Sequence, residues 1–312
     1  MNLDFEKIKS LTVGALTFKE ADGALWFDHY TDDCIEKIKG LSDFWHTGAT
    51  CTTGVRLDFT TDASRITAYT AGAGKHELRV NGALCKSEVL QKNGEISIDL
   101  PEGNNRVTLI LPSHSRGGIR GVTLEGATTA ERTVFERKIL FIGDSITQGW
   151  NARFDSCSYA YITGENLRAE SLIQGVGGIV FHKDLFDNND FEPDLILIAY
   201  GCNDFGYYKT TADLKEGATI FMDHLCARYE GVKKVGIVPI WRQDEGAVKE
   251  MGDFGDCRRT INEVYDSHGV TTVDGFTLVP HLPEFYADTV HPNDLGFAEM
   301  AKNLTGKLLE IL

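Results

Sequence analysis

The chain has 312 residues, with 46 acidic and 31 basic side chains and a formal charge of −15 at pH 7. That balance argues against nucleic acid and anionic membrane surfaces as partners, because both repel it. No run approaches the roughly 18 apolar residues a spanning helix needs, and the length suits roughly two domains that bury their cores without disulfides or metals.

The N-terminus, Met1-Asn2-Leu3-Asp4-Phe5-Glu6, lacks the basic start and apolar core of a secretion signal, so a cytoplasmic location is expected. Seven cysteines (Cys34, Cys51, Cys85, Cys157, Cys202, Cys226 and Cys257) form an odd set without CxxC spacing. This pattern disfavours a disulfide framework and structural zinc.

The first unit reads as β. Val55, Leu57 and Phe59 alternate with polar neighbours, as do Leu78 and Val80, then Ile96, Ile98 and Leu100, then Val107, Leu109 and Leu111. Period-two alternation puts one strand face in a core and the other in water. Asp22-Gly23, Asn81-Gly82 and Asn93-Gly94 are turn pairs that tolerate the positive φ of tight hairpins. Ser115-Arg116-Gly117-Gly118 reads as a surface turn before a last strand. Short strands with frequent turns predict an all-β sandwich or jelly roll over residues 1–130. The polar stretch Ala127-Thr128-Thr129-Ala130-Glu131-Arg132 marks the junction.

The second unit, 131–312, alternates β and α. Ile139-Leu140-Phe141-Ile142 and Leu195-Ile196-Leu197-Ile198 are continuous apolar runs, and Val235-Gly236-Ile237-Val238 is a weaker one. Such runs suit parallel strands covered on both faces. Leu214, Ala218, Phe221 and Leu225 share one helical face, as do Phe297, Met300, Ala301, Leu304 and Leu308. Strands near 138–142, 170–174, 194–200, 233–239 and 270–274, with helices between, predict a three-layer α/β/α fold around a parallel sheet.

Phe141-Ile142-Gly143-Asp144-Ser145-Ile146-Thr147-Gln148-Gly149 leaves an apolar strand and enters a polar loop. A serine there stands at the carboxyl edge of the sheet, where open α/β folds bind ligands. Three further segments follow: Gly175-Val176-Gly177-Gly178, Gly201-Cys202-Asn203-Asp204 and Asp288-Thr289-Val290-His291-Pro292-Asn293. In this order, the set resembles the four sequence blocks of the SGNH (GDSL) hydrolase family over about residues 136–312. The resemblance implies a flavodoxin-like α/β domain and ester chemistry without metal or organic cofactor.

Ester cleavage needs a nucleophile, a base and donors for a developing oxyanion. Ser145 is the expected nucleophile, His291 the base and Asp288 the group that holds the imidazole. The resemblance implies oxyanion donors at the Ser145 N–H, the Gly178 N–H and the Asn203 amide. Three glycines in one block leave Gly177 as an alternative to Gly178.

His281 competes with His291 but has no acid at the useful spacing. His114 is expected in a surface turn, His46 is expected to be structural, and Cys202 reads as small apolar packing. Trp241 and Arg242 follow the fourth strand and are candidates to bind a sugar ring or polar acyl group. The Phe44-Trp45-His46-Thr47-Gly48-Ala49 segment reads as a loop, with Trp45 as a candidate wall of the cleft. A β-sandwich joined to an SGNH domain resembles two-domain carbohydrate esterases of family two and some related acyltransferases.

The expected function is hydrolysis of a short acyl ester, acetyl above all, on a carbohydrate or similar polyhydroxylated small molecule. Its partner is then a small-molecule or oligosaccharide ester. An acyltransferase using the same triad, and an inactive carbohydrate-binding protein, are the alternatives.

Overall fold

The structure, a computed structural model, describes residues 1–312. Its N-terminal part packs two antiparallel sheets face to face. One runs in the order Thr17–Ala21, Ala24–Asp28, Gly118–Glu125, Arg65–Ala71, Asn93–Asp99. The other runs Ala130–Arg132, Arg56–Thr61, Asn105–Ile110, Gly74–Val80, Ala83–Leu90. Their inner faces meet in a core that includes Leu57, Phe59, Ile66, Ile96, Val107, Leu109 and Val122, the alternating residues whose period puts them inward.

Two turn pairs form hairpins as their chemistry demands. Asp22 and Gly23 take φ of 54° and 69°, and Asn81 and Gly82 take 49° and 84°, the left-handed pair of a tight two-residue hairpin. Asn93-Gly94 does not turn. Both residues pair with Thr70 and Ala71 as the first rungs of a strand. The chain instead changes sheets between Leu90 and Asn93. Sheet crossing is a tertiary choice that a dipeptide does not report.

The C-terminal part holds a five-stranded parallel sheet in the order Ala169–Gly175, Arg137–Gly143, Leu195–Ala199, Lys233–Val238, Thr271–Asp274. This is the doubly wound order 2-1-3-4-5, whose switch point lies between the first and third strands. Helices Tyr159–Asn166 and Asp294–Ile311 cover one face; Thr211–Arg228 and Phe254–Ser267 cover the other. No helix is long and apolar enough to cross a membrane.

Two helices absent from the sequence reading change how the halves meet. Asp32–Leu41 and Asp43–Ala49 follow a sandwich strand, yet Cys34, Ile35, Ile38, Trp45 and Ala49 are buried with Leu140, Leu172 and Ile198 of the parallel sheet and with Val176 just beyond it. The first is capped by Thr31 and the second by Ser42, side chains that satisfy otherwise unpaired first-turn N–H groups. The seven-residue helix 43–49 is too short to stand alone, so its apolar contacts with the neighbouring sheet decide its conformation.

Ion pairs reinforce the junction. Arg106 Nη2 lies 2.6 Å from buried Asp58, and its Nη1 lies 2.9 Å from Glu165 on the other side. Arg132 reaches Glu170 at 2.9 Å. The guanidinium groups of Arg56, Arg106 and Arg132 all face the Phe135 ring within about 6 Å.

Candidate active site

Gly143 ends the first parallel strand, and Ser145 opens a four-residue helix, Ser145–Gln148. Asp144 caps that helix by accepting the Ile146 N–H at 2.9 Å. Gly149, at φ 88°, stops it. The helix lies hard against neighbouring strand ends: a Cβ on Gly143 would strike Thr147 Oγ1, and one on Gly175 would strike the Gln148 nitrogen. Glycine at these two positions is a packing requirement, which explains why the strand ends carry it.

Ser145 Oγ sits 2.8 Å from His291 Nε2. The other ring nitrogen, Nδ1, faces Asp288 at 2.8 Å to Oδ2 and 3.0 Å to Oδ1. The loop bearing both residues is held by the backbone. Asp288 Oδ1 accepts the N–H groups of Val290 and His291, each at 2.8 Å. Burial works to raise the Asp288 pKa, but these N–H groups and the imidazole outweigh it and keep the carboxyl below its ordinary range. An ionised carboxylate there orients an Nδ1–H tautomer and leaves Nε2 as acceptor for the serine proton.

Gly177 donates its N–H to Gln148 Oε1 at 2.8 Å, whereas the N–H of Gly178, at φ 77°, has no acceptor within the protein. The Ser145 N–H opens its helix and has no intrahelical partner there. Asn203 spends one amide proton on the Ile179 carbonyl at 3.1 Å.

The sandwich side borders this glycine loop. Phe44 and Trp45 both lie against Gly178. Trp45 is buried behind the loop, with its ring centre 6.0 Å from that of Tyr207. The exposed ring at this edge is Phe44, not Trp45. The segment is helical because Ser42 caps it and the parallel sheet receives its apolar face.

Trp241 and Arg242 do not face an open cleft. Trp241 is buried, stacked on His281 at 5.3 Å and packed edge-on against Tyr286. Arg242 is buried too, donating to the Cys202 carbonyl and held by Asp244. Both serve to pack the loop after the fourth strand. The same stack, with a 2.9 Å contact from His281 Nε2 to the Phe276 carbonyl, occupies the rival histidine. Cys202 is buried, and burial pushes its thiol well above the ordinary range, which removes the thiolate a nucleophile needs.

Four residues near Ser145 and His291 are not expected at the site from the sequence. Asn151, at φ 69°, donates its amide to Asp288 Oδ2 at 2.8 Å. Trp150 is partly exposed, with its ring centre 6.3 Å from that of His291. His114, read as a turn residue, places its ring edge-on to Trp150 at 5.1 Å. Gln148 bridges two loops. Trp150 and Asn151 directly follow the serine block, and that adjacency is the one signal that could have flagged them.

Two acids beneath the loop differ from Asp288. Burial pushes Asp144 up to about 7 against the pull of the Ile146 N–H. Burial also raises Asp204 to about 8, opposed by the Phe181 N–H and aided by the nearby Asp144 charge. No group of three or more His, Cys, Asp or Glu side chains converges as a metal site.

Comparison with known structures gives full-length matches at low identity. A salicylyl-acyltransferase, SsfX3, from a tetracycline biosynthetic pathway is 20% identical, with a TM-score of 0.84, covering 100% of this chain and 98% of that one. A family two carbohydrate esterase from Cellvibrio japonicus is 21% identical, with a TM-score of 0.70 and coverage of 97% and 95%. An acetyl xylan esterase from the rumen bacterium Butyrivibrio proteoclasticus is 16% identical, with a TM-score of 0.68 and coverage of 100% and 98%. These likenesses establish the two-part fold. Comparison with curated protein sequences finds no match. Residues 141–298, which run from within the strand before Ser145 into the helix after His291, match the GDSL-like lipase/acylhydrolase family. The chain belongs to that family.

Proposed function

We propose that the protein is a serine esterase that removes a short acyl group, acetyl above all, from a carbohydrate or similar polyhydroxylated small molecule. The observation that carries this reading is the unbroken line Ser145 Oγ, His291 Nε2, His291 Nδ1, Asp288 Oδ2, with 2.8 Å at each hydrogen bond. Ser145 Oγ attacks the ester carbonyl carbon as His291 Nε2 takes the serine proton. Negative charge moves to the carbonyl oxygen, where the N–H groups of Ser145 and Gly178 and the Asn203 amide are the candidate donors. The bond to the alcohol breaks, and His291 returns the proton to the departing oxygen. Water then gives a proton to Nε2 and attacks the acyl carbon; the bond to Ser145 Oγ breaks, His291 returns the proton to Oγ, and the acid leaves.

The substrate class rests on the rim. Phe44, Trp150 and Tyr207 are exposed aromatic rings, and flat ring faces suit the apolar faces of sugars. The family two esterase and acetyl xylan esterase likenesses point the same way. Turnover of p-nitrophenyl acetate and of acetylated xylo-oligosaccharides by wild type, lost in Ser145→Ala, is the expected result. A folded wild type that turns over no acyl ester ends this reading. Trp150→Ala should raise KM for the oligosaccharide more than for p-nitrophenyl acetate.

A second reading, acyl transfer, is favoured by the full-length likeness to a salicylyl-acyltransferase. The same acyl-enzyme would pass its acyl group to an alcohol instead of water. Product analysis with a saturating sugar acceptor separates the two: new ester supports transfer, and persistent free acid supports hydrolysis.

A further inference from the structure

The side chain of Gln148 lies buried one turn beyond the nucleophile and joins two loops that come from different halves of the protein. Its Nε2 donates to the Ser113 carbonyl at 2.8 Å, and its Oε1 accepts the Gly177 N–H at 2.8 Å. This amide has one workable orientation, because the reverse would set N–H against N–H and oxygen against oxygen. The sandwich end of the bridge is itself fixed. Ser113 is buried, its carbonyl also accepts the Thr53 hydroxyl at 3.0 Å, and its N–H donates to Asp155 Oδ2 at 2.9 Å.

The same loop is pressed from a second side. Gly48 of the sandwich-side helix approaches Val176 so closely that a Cβ there would lie 2.9 Å from Val176 Cγ1. Residues 176–178 are therefore held between a helix and a glutamine, both answering to the N-terminal half.

We infer that Gln148 is the positioning residue of the oxyanion site, tying the Gly177 N–H to the sandwich carbonyl of Ser113 and so leaving the Gly178 N–H for the substrate oxygen. The inference rests on the serine esterase reading and deepens it. It explains why one of two adjacent glycine N–H groups serves and the other does not: Gly177 is occupied by Gln148, whereas the Gly178 N–H has no acceptor within the protein. It also gives the N-terminal half a catalytic purpose, since the register of the oxyanion loop depends on a carbonyl that this half supplies.

The test uses the full chain with Gln148→Met and Gln148→Glu. Methionine keeps the length and volume but accepts nothing from Gly177 and donates nothing to Ser113. It should lower kcat on p-nitrophenyl acetate about 10- to 100-fold, the scale of a misplaced or partly lost oxyanion donor. KM should stay within about threefold, and the inhibition constant of phenylboronic acid, which forms a tetrahedral adduct on the serine, should rise by the same factor as kcat falls. A protonated glutamic acid makes both bonds: its carbonyl accepts from Gly177 and its O–H donates to Ser113. The activity of Gln148→Glu relative to wild type should be near unity at pH 5.5 and fall toward that of Gln148→Met by pH 8.5, as the carboxyl loses the proton it donates. A purely structural glutamine would shift Tm without this pH signature.

Unchanged kcat and boronate affinity in Gln148→Met overturn the inference alone, provided wild type is active. Should Gln148→Met fail to fold, a pH-independent activity ratio in Gln148→Glu overturns it. A wild type inert to both p-nitrophenyl acetate and a fluorophosphonate removes the esterase reading and this inference with it.

Discussion

Asn151 holds Asp288 from a loop other than the one that bears His291: its amide reaches Oδ2 at 2.8 Å, the same oxygen that faces His291 Nδ1. The residue takes φ 69° to do so, a conformation that asparagine tolerates better than most side chains. The contact ties the loop after Ser145 to the loop that bears His291. Asn151→Gly keeps the backbone freedom and removes the amide, so it should lower kcat/KM by about 3- to 10-fold, the net worth of an ordinary hydrogen bond, since the Asp288 carboxylate is partly exposed. Asn151→Asp puts a second carboxylate beside Asp288 and should lose more at pH 8 than the glycine variant does. Steady-state rates on p-nitrophenyl acetate check both, and equal losses in the two variants contradict the electrostatic account.

The triad makes its own prediction. Ser145→Ala and His291→Ala should each reduce kcat by at least about a thousandfold, and Asp288→Asn by about a thousand- to ten-thousandfold through the wrong imidazole tautomer. Combining Ser145→Ala with His291→Ala should cost little beyond either alone, because the two act as one unit. A multiplicative double mutant would contradict the shared proton transfer.

Gly175 tests the packing of the helix Ser145–Gln148. A methyl group at this position meets the Gln148 backbone nitrogen, and backbone cannot swing aside as a side-chain end can. Gly175→Ala should destabilise the fold by about 1 to 3 kcal/mol, the usual cost of overpacking, and lower kcat as the helix shifts. Thermal melting and turnover measure the two effects. A variant with wild-type Tm and kcat argues against the tight seat described for this helix.

Arg106 is the main cation on buried Asp58, where it makes contacts of 2.6 and 2.8 Å, and it also reaches Glu165. Arg106→Ala leaves Asp58 with Arg56 and the Thr133 hydroxyl but strips its best partner. The expected loss is about 3 kcal/mol, as for breaking a buried pair from one side. Glu165→Gln, at the half-exposed end, should cost less than about 1 kcal/mol. Chemical denaturation distinguishes them, and the reverse order would refute the assignment of Asp58 as the buried anchor.

Stability should fall as pH rises through neutrality. Burial raises Asp144 and Asp155 to about 7 and Asp204 to about 8. A carboxyl whose folded pKa lies above its unfolded value binds more protons in the native state. Its contribution is full below the ordinary carboxylate pKa near 4 and is lost as pH climbs to the folded value. Tm should therefore decline by several degrees between pH 5.5 and 8.5. Asp204→Asn keeps an acceptor for the Phe181 N–H and should flatten the segment between pH 7 and 8, where Asp204 is the last of the three to release its proton. An unchanged slope would show that Asp204 is already ionised at pH 7.

Much of this protein was legible in its residues alone. Ile139-Leu140-Phe141-Ile142 and Leu195-Ile196-Leu197-Ile198 announce central parallel strands because a strand covered on both faces has no polar side to show. Asp22-Gly23 and Asn81-Gly82 announce hairpins because the left-handed turn is a property of those residues. The serine, asparagine and histidine blocks share one sheet edge because each follows a strand or precedes a helix of a regular α/β winding. These are local signals: period, turn chemistry and chain order.

The tertiary structure decided the rest. Ser145 and His291 meet across 146 positions, and Gln148 finds Ser113 across 35. The helices 32–41 and 43–49 leave the sandwich to cover a sheet that the chain has not yet made. Trp241 and Arg242 sit at the expected edge yet turn inward, while Phe44, Trp150 and Asn151 turn toward the site. The physical reason is common to all of them. A side chain's partners are set by which surfaces pack together and which buried polar groups must then be satisfied, and neither is written in the spacing of neighbouring residues.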